Sequence, residues 1–293
     1  MHPERADFIG AAGNRLAADV YRAASAAARA TALLLHGGGQ TRHAWDATAR
    51  SLARAGLDAI ALDQRGHGES EWVGDGGYSF FDYGDDATAV ARALLAANGV
   101  APIVIGASLG GLAALVALDR DPRVFAGLVL VDVTPEPDRK GIGNVQGFMR
   151  ARAREGFATV EEAADAIAEY MPHRPRPRSL KGLAKNLRLG EGGRYFWHWD
   201  PRFLDGPRPI GHKREAVRES AESAARAVAI PTLLVRGMGS EIVGDAEEAA
   251  FRALCPQAEV ARVEKARHMV AGDANDAFAA AILGFLGRRF GGS

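Results

Sequence analysis

Pro102-Ile103-Val104-Ile105-Gly106-Ala107-Ser108-Leu109-Gly110-Gly111 decides the reading of this 293-residue chain. Apolar residues run straight into a glycine-flanked serine, and a helical pattern reaching about Leu118 comes at once after it. A strand that turns so tightly into a helix holds the serine between them in a strained backbone conformation. Only small neighbours such as Gly106, Gly110 and Gly111 let the two elements pack that closely. The hydroxyl is then presented at a helix N-terminus, where backbone dipoles favour a developing negative charge. The pentapeptide G-x-S-x-G is common in turns; its place between strand and helix marks Ser108 as a nucleophile rather than a capping serine.

Upstream, the apolar run Thr31–Leu35 ends in His36-Gly37-Gly38-Gly39. Acyl transfer creates an oxyanion that needs backbone N–H groups aimed at it in advance, and glycines let the backbone approach. The expected pair is the N–H of Gly38 with that of Leu109, the residue after the nucleophile. The loop lacks the Lys-Ser/Thr pair of a phosphate-binding loop.

Further out, short apolar segments alternate with helical patterns, as in β-α units around a mostly parallel sheet. Strands are predicted at 6–10 and 15–21 (a hairpin about Ala12-Gly13-Asn14), 31–35, 59–62, 103–105, 125–131, 232–235 and 259–263. Helices are predicted at 44–55, 80–98, after Ser108, at 246–254 and at 273–289. From 134 to 228 the alternation lapses. That stretch holds helical patterns at 145–153 and 160–170, the string Pro172-His173-Arg174-Pro175-Arg176-Pro177-Arg178, and the aromatic run Tyr195-Phe196-Trp197-His198-Trp199. The prediction is an α/β fold with a mostly parallel central sheet flanked by helices: a core of residues 1–133 and 229–293, with 134–228 inserted as a helical cap.

Lys+Arg and Asp+Glu both number 36, so the basic excess expected of a nucleic-acid binder is missing. The single cysteine, Cys255, permits no internal disulfide. The N-terminal residues lack a signal-peptide pattern, and no apolar run approaches the roughly 20 residues that cross a bilayer. These features predict a cytoplasmic protein that binds no nucleic acid and no membrane. Asp82, Asp85 and Asp86 read as a solvated acidic helix start, since no His or Cys accompanies them at metal-ligand spacing.

Strand-HGGG, then Asp63-Gln64-Arg65-Gly66-His67-Gly68-Glu69-Ser70, then GASLGG, then a late histidine, come one after another in an order that resembles the α/β-hydrolase superfamily. The resemblance covers essentially the whole chain outside the insertion. It is strongest to the capped, cofactor-free esterases, lactonases and haloperoxidase-like hydrolases. It implies a serine–acid–histidine triad in that chain order, no cofactor, and an architectural role for His67. Of the 8 histidines, His36, His43 and His67 precede the nucleophile, His173, His198 and His212 lie in the insertion, and His2 is terminal. His268, after the last strand, stands where the family places its base. The family's acid loop here reads Arg236-Gly237-Met238-Gly239-Ser240-Glu241-Ile242-Val243. Glu241 is its first carboxylate and the preferred acid; Asp132, after the strand 125–131, is the alternative.

Serine at the elbow, where dehalogenases and epoxide hydrolases of this fold carry aspartate, implies acyl transfer. The expected reaction is cleavage of a carboxylic ester of a small apolar substrate through an acyl-enzyme. Lactones, thioesters, C–C bonds beside a ketone, perhydrolysis, and a non-catalytic small-molecule receptor remain open. Trp45, Phe81, Trp197 and Trp199 are candidates to line an apolar acyl pocket, with cap core as the competing reading.

Overall fold

Leu33 and Leu35 pack on one face of the central sheet, Ala32 and Leu34 on the other. Helices cover both faces, which is why the central strands read as unbroken apolar runs rather than as alternation. The computed structural model describes residues 2–24, 30–172, 179–264, 266–268 and 275–291. Residues 173–178 of the proline–arginine string, with His173, and Met269 and Val270 beside His268, lie outside the described residues.

The strands are β1 (Glu4–Ile9), β2 (Arg15–Tyr21), β3 (Thr31–Leu35), β4 (Asp58–Leu62), β5 (Ile103–Ala107), β6 (Gly127–Val131), β7 (Leu187–Leu189), β8 (Tyr195–Trp197), β9 (Thr232–Gly237) and β10 (Glu259–Val263). The main sheet has the order β1-β2-β4-β3-β5-β6-β9-β10. β1 with β2 and β2 with β4 are antiparallel, and the remaining pairs are parallel. Helices α1 (Asp46–Arg54), α2 (Phe80–Asn98), α3 (Leu109–Arg120), α8 (Arg214–Ala227), α9 (Asp245–Leu254) and α10 (Asn275–Phe290) surround it. Residues of α2, α3 and α8 join one core cluster, and residues of α1 and α10 the other. α2 starts in a reciprocal Ser79–Asp82 capping box and stops at left-handed Gly99, the ends its sequence predicts. Among the described residues, no helix is long and apolar enough to cross a membrane.

Between β6 and β9 the chain forms α4 (Arg139–Arg150), α5 (Val160–Tyr170), α6 (Lys181–Ala184), the antiparallel β7–β8 pair, α7 (Arg202–Asp205) and α8. Phe157, Trp197, Trp199, Phe203 and Ile210 from this stretch cluster with Tyr78, Tyr83, Leu109 and Ala113 of the main body. α8 packs against α3 instead, and its Ala221, Ala224 and Ala225 join the main core.

One expectation changes here. Asp86 is buried, not solvated: its carboxylate takes Arg65 Nε at 2.7 Å and a second guanidinium nitrogen at 2.6 Å. A buried arginine needs its countercharge beside it, and this two-point pairing fixes the 63–70 turn against α2. Asp82 serves the capping box, and Asp85 pairs with Arg120.

Candidate active site

The ladder places Leu35 beside Gly106, Ala107 beside Val131, Val131 beside Val235 and Gly237 beside Val263. Because these strands are parallel, the segments leaving their C-terminal ends all emerge at one edge of the sheet, the usual ligand-binding edge of open α/β sheets. The residues brought there are Gly37–Gly39, Ser108, Asp132, the 237–243 loop and His268.

Ser108 has φ 45° and ψ −106°, a left-handed conformation that costs a non-glycine residue about 1–3 kcal/mol. The turn closes because a Cβ on Gly106 would lie 2.5 Å from the Gly110 carbonyl, so no larger residue fits. α3 starts at Leu109, whose N–H belongs to the first helical turn and has no acceptor within the helix. Its positive end faces the site.

Asp132, fully buried and with φ 50°, is the residue that meets His268. Asp132 Oδ2 lies 2.9 Å from His268 Nδ1. The same oxygen accepts the Ser240 hydroxyl at 2.5 Å, and Oδ1 accepts the Gly237 N–H at 3.0 Å. Glu241, the preferred acid on sequence, is not the carboxylate that the structure brings to His268. Its side chain leaves the loop towards α5, with Oε1 3.5 Å from the Tyr170 hydroxyl. The β6–β9 register explains the difference: it sets Asp132 directly beneath the 237–240 turn, facing His268, whereas Glu241 lies past that turn. Ser240 and Gly237 as carboxylate donors are not legible in the sequence; the missing aspartate in this loop is the available signal.

Two buried histidines brace the glycine loop. His36 Nδ1 donates to the Gly37 carbonyl at 2.8 Å, and its Nε2 accepts the Gln64 N–H at 3.0 Å. His67 Nδ1 donates to the Arg65 carbonyl at 3.0 Å, and its Nε2 accepts the Gly39 N–H at 3.1 Å. Gly39 itself has φ +75°. With the Gly37 N–H bound to Gln40 Oε1 at 3.0 Å, both N–H groups flanking that of Gly38 are committed to side chains. Burial is the largest cause holding both rings neutral: the pKa of His36 falls from 6.5 to about 4 and that of His67 to about 3. In the unfolded chain the same rings protonate near 6.5, so below that pH the unfolded state binds more protons. Their contribution is therefore whole above pH 6.5 and is lost as pH falls through 4 towards 3. Melting temperature should decline across that window, and less steeply in His67→Gln, which keeps an acceptor for Gly39 but cannot titrate. An identical decline in the variant would contradict this origin.

Ser108, His268, Gly38 and Leu109 line one cavity of about 1340 Å³. Its walls come largely from the insertion, including Val145, Phe148, Met149, Ile167, Tyr170 and Phe203. Trp45, Trp197 and Trp199 also line it, though each is at most 8% exposed. Trp45 also stacks on Phe278 with ring centroids 6.1 Å apart. Phe81 does not reach this cavity. It sits in a shallow depression with Arg120, whose guanidinium lies 5.1 Å from its ring, while Phe80 lines the cavity. Successive helical residues point in different directions, so only one of the pair can face inward. Asp19, His43 and Asp46 are grouped closely enough to share a metal ion. Cations already occupy the two carboxylates: Arg42 Nε lies 3.0 Å from Asp19, and Lys185 Nζ 2.9 Å from Asp46.

Comparison with known proteins bears on the fold and the family. A family model described as alpha/beta hydrolase fold matches residues 33–274. Esterase Rv0045c of Mycobacterium tuberculosis is 31% identical over 267 residues, 88% of this chain and 83% of that protein. The sn-1-specific diacylglycerol lipase ABHD11 of Mus musculus is 25% identical over 273 residues, 87% of this chain and 80% of that one. Among solved structures, E-2-(acetamidomethylene)succinate hydrolase superposes with a TM-score of 0.81 at 23% identity, covering 97% of this chain and 99% of that one.

Proposed function

The chain belongs to the α/β-hydrolase fold family, and from that membership we propose that it is a serine hydrolase that cleaves carboxylic esters through an acyl-enzyme. One observation carries the reading: a buried carboxylate grips His268 in the same cavity that receives Ser108 from a strained strand–helix turn. Ser108 Oγ attacks the ester carbonyl while His268 Nε2 takes its proton. Asp132 holds the Nδ1–H tautomer and stabilises the imidazolium that forms. The N–H groups of Gly38 and Leu109 receive the oxyanion; each such donor is worth about 3 kcal/mol. His268 then protonates the departing alcohol, and water returns through the same base to release the acid.

In this reading α4 to α7 act as a cap, since α4 and α5 bring the apolar side chains that roof the nucleophile, while α8 belongs to the core. Apolar walls favour an apolar acyl or alcohol group, and the cavity, at about 1340 Å³, exceeds the ~300–1,000 Å³ usual for ligand pockets.

A panel of p-nitrophenyl esters of increasing acyl length tests the proposal. Turnover with a pre-steady-state burst of nitrophenol is expected; an enzyme inert to the whole panel would contradict it. With the best ester, kcat/KM should climb from the acid side as the histidine base loses its proton. His36 and His67, neutral already above pH 5, add nothing to that limb. A profile flat from pH 5 to 9 would exclude His268 as the base.

A further inference from the structure

Ser240 lies just past the end of β9, and its hydroxyl has a determined direction. Its Oγ accepts the backbone N–H groups of Ile242 at 3.1 Å and Val243 at 3.2 Å. A hydroxyl has two acceptor positions and one donor, so with both acceptor positions filled the proton is committed to Asp132 Oδ2, 2.5 Å away. The two incoming N–H groups polarise the hydroxyl and strengthen it as a donor. Oδ2 is also the oxygen that holds His268 Nδ1. Ser240 and His268 therefore draw on the same oxygen. The loop's contribution to the cavity wall comes from Gly239, Glu241 and Ile242, on either side of Ser240.

We infer that Ser240 is a positioning residue that sets, through its hydrogen bond to Asp132, how strongly that carboxylate holds the His268 imidazole. The inference rests on the acyl-transfer reading above, with Asp132 as the acid. The Ser240 hydroxyl disperses part of the negative charge on Oδ2 and keeps the carboxylate turned towards the ring. Without it, the charge concentrates on Oδ2, the protonated imidazole is held more tightly, and the neutral base appears at higher pH. The carboxylate also loses the contact that fixes its angle to the ring, so the imidazole meets the Ser108 proton less well aligned, which slows the chemical step while substrate binding is untouched.

The test is Ser240→Ala, assayed with the ester that the wild type turns over best. The acid limb of kcat/KM should move up by about half a pH unit, the size of a weak charge-assisted interaction. Above that limb, kcat should fall about tenfold with KM nearly unchanged, the pattern of an interaction realised in the transition state. Ser240→Thr, which restores a hydroxyl, should recover both. A wild-type pH profile in Ser240→Ala overturns the inference. So does a slower enzyme whose acid limb has not moved, since a merely structural residue would behave that way. If Ser240→Ala does not fold, Ser240→Cys, close in volume but a weak donor, is read for the same displacement. Asp132→Asn separates the two levels. If it is crippled while the Ser240 variants keep the wild-type profile, the Ser240 inference alone fails. If Asp132→Asn stays active, both readings fall together.

Discussion

Asp132→Asn should lower kcat by about 10⁴-fold, the cost of the equivalent change in a serine protease triad, while Glu241→Gln should leave it nearly unchanged. The Asp132 carboxylate takes the Ser240 hydroxyl and His268 Nδ1 on one oxygen and the Gly237 N–H on the other. An amide offers only one acceptor oxygen. Its NH₂ must then face a donor, and if that donor is Nδ1–H the ring adopts the other tautomer and Nε2 no longer accepts the serine proton. Among the described residues, the Glu241 side chain meets the Tyr170 hydroxyl, at 3.5 Å, and not His268, so neutralising it leaves the base in place. Steady-state rates of both variants, with circular dichroism matched to wild type, check the pair. A crippled Glu241→Gln beside an active Asp132→Asn would restore the assignment read from the loop sequence.

Ser108→Ala should have the largest effect, on the order of 10⁶-fold in kcat, because base, acid and oxyanion donors are left without a nucleophile to act on. Stability should change little. Alanine meets the same cost at φ 45°, and the tight approach of Gly106 to Gly110 is unaltered. Thermal melts and ester hydrolysis measured on one preparation distinguish this from unfolding. Turnover retained within tenfold would remove Ser108 from the mechanism.

What could be read in the sequence was what local pattern encodes. The Gly106–Gly111 turn, the apolar runs of β3 and β5 and the capped limits of α2 each depend on residues within a few positions of one another. The acid depends on register. Asp132 faces His268 because β6 pairs with β9, a relation among residues over a hundred positions apart that no window contains. Asp86 looks like a helix-start carboxylate because Arg65, 21 residues earlier, is invisible to a helical pattern. The β7–β8 pair is three residues on each side, too short for alternation to emerge from the aromatic run. Phe80 and Phe81 are indistinguishable until the rotation of α2 is known.

Whether Ser108 is an activated nucleophile decides the mechanism, and a fluorophosphonate probe measures this without knowledge of the substrate. About one equivalent of label per chain is expected, located on the peptide that carries Ser108, lost in Ser108→Ala and strongly slowed in Asp132→Asn. A folded wild-type protein that takes up no label, or that is labelled at another serine, would contradict it.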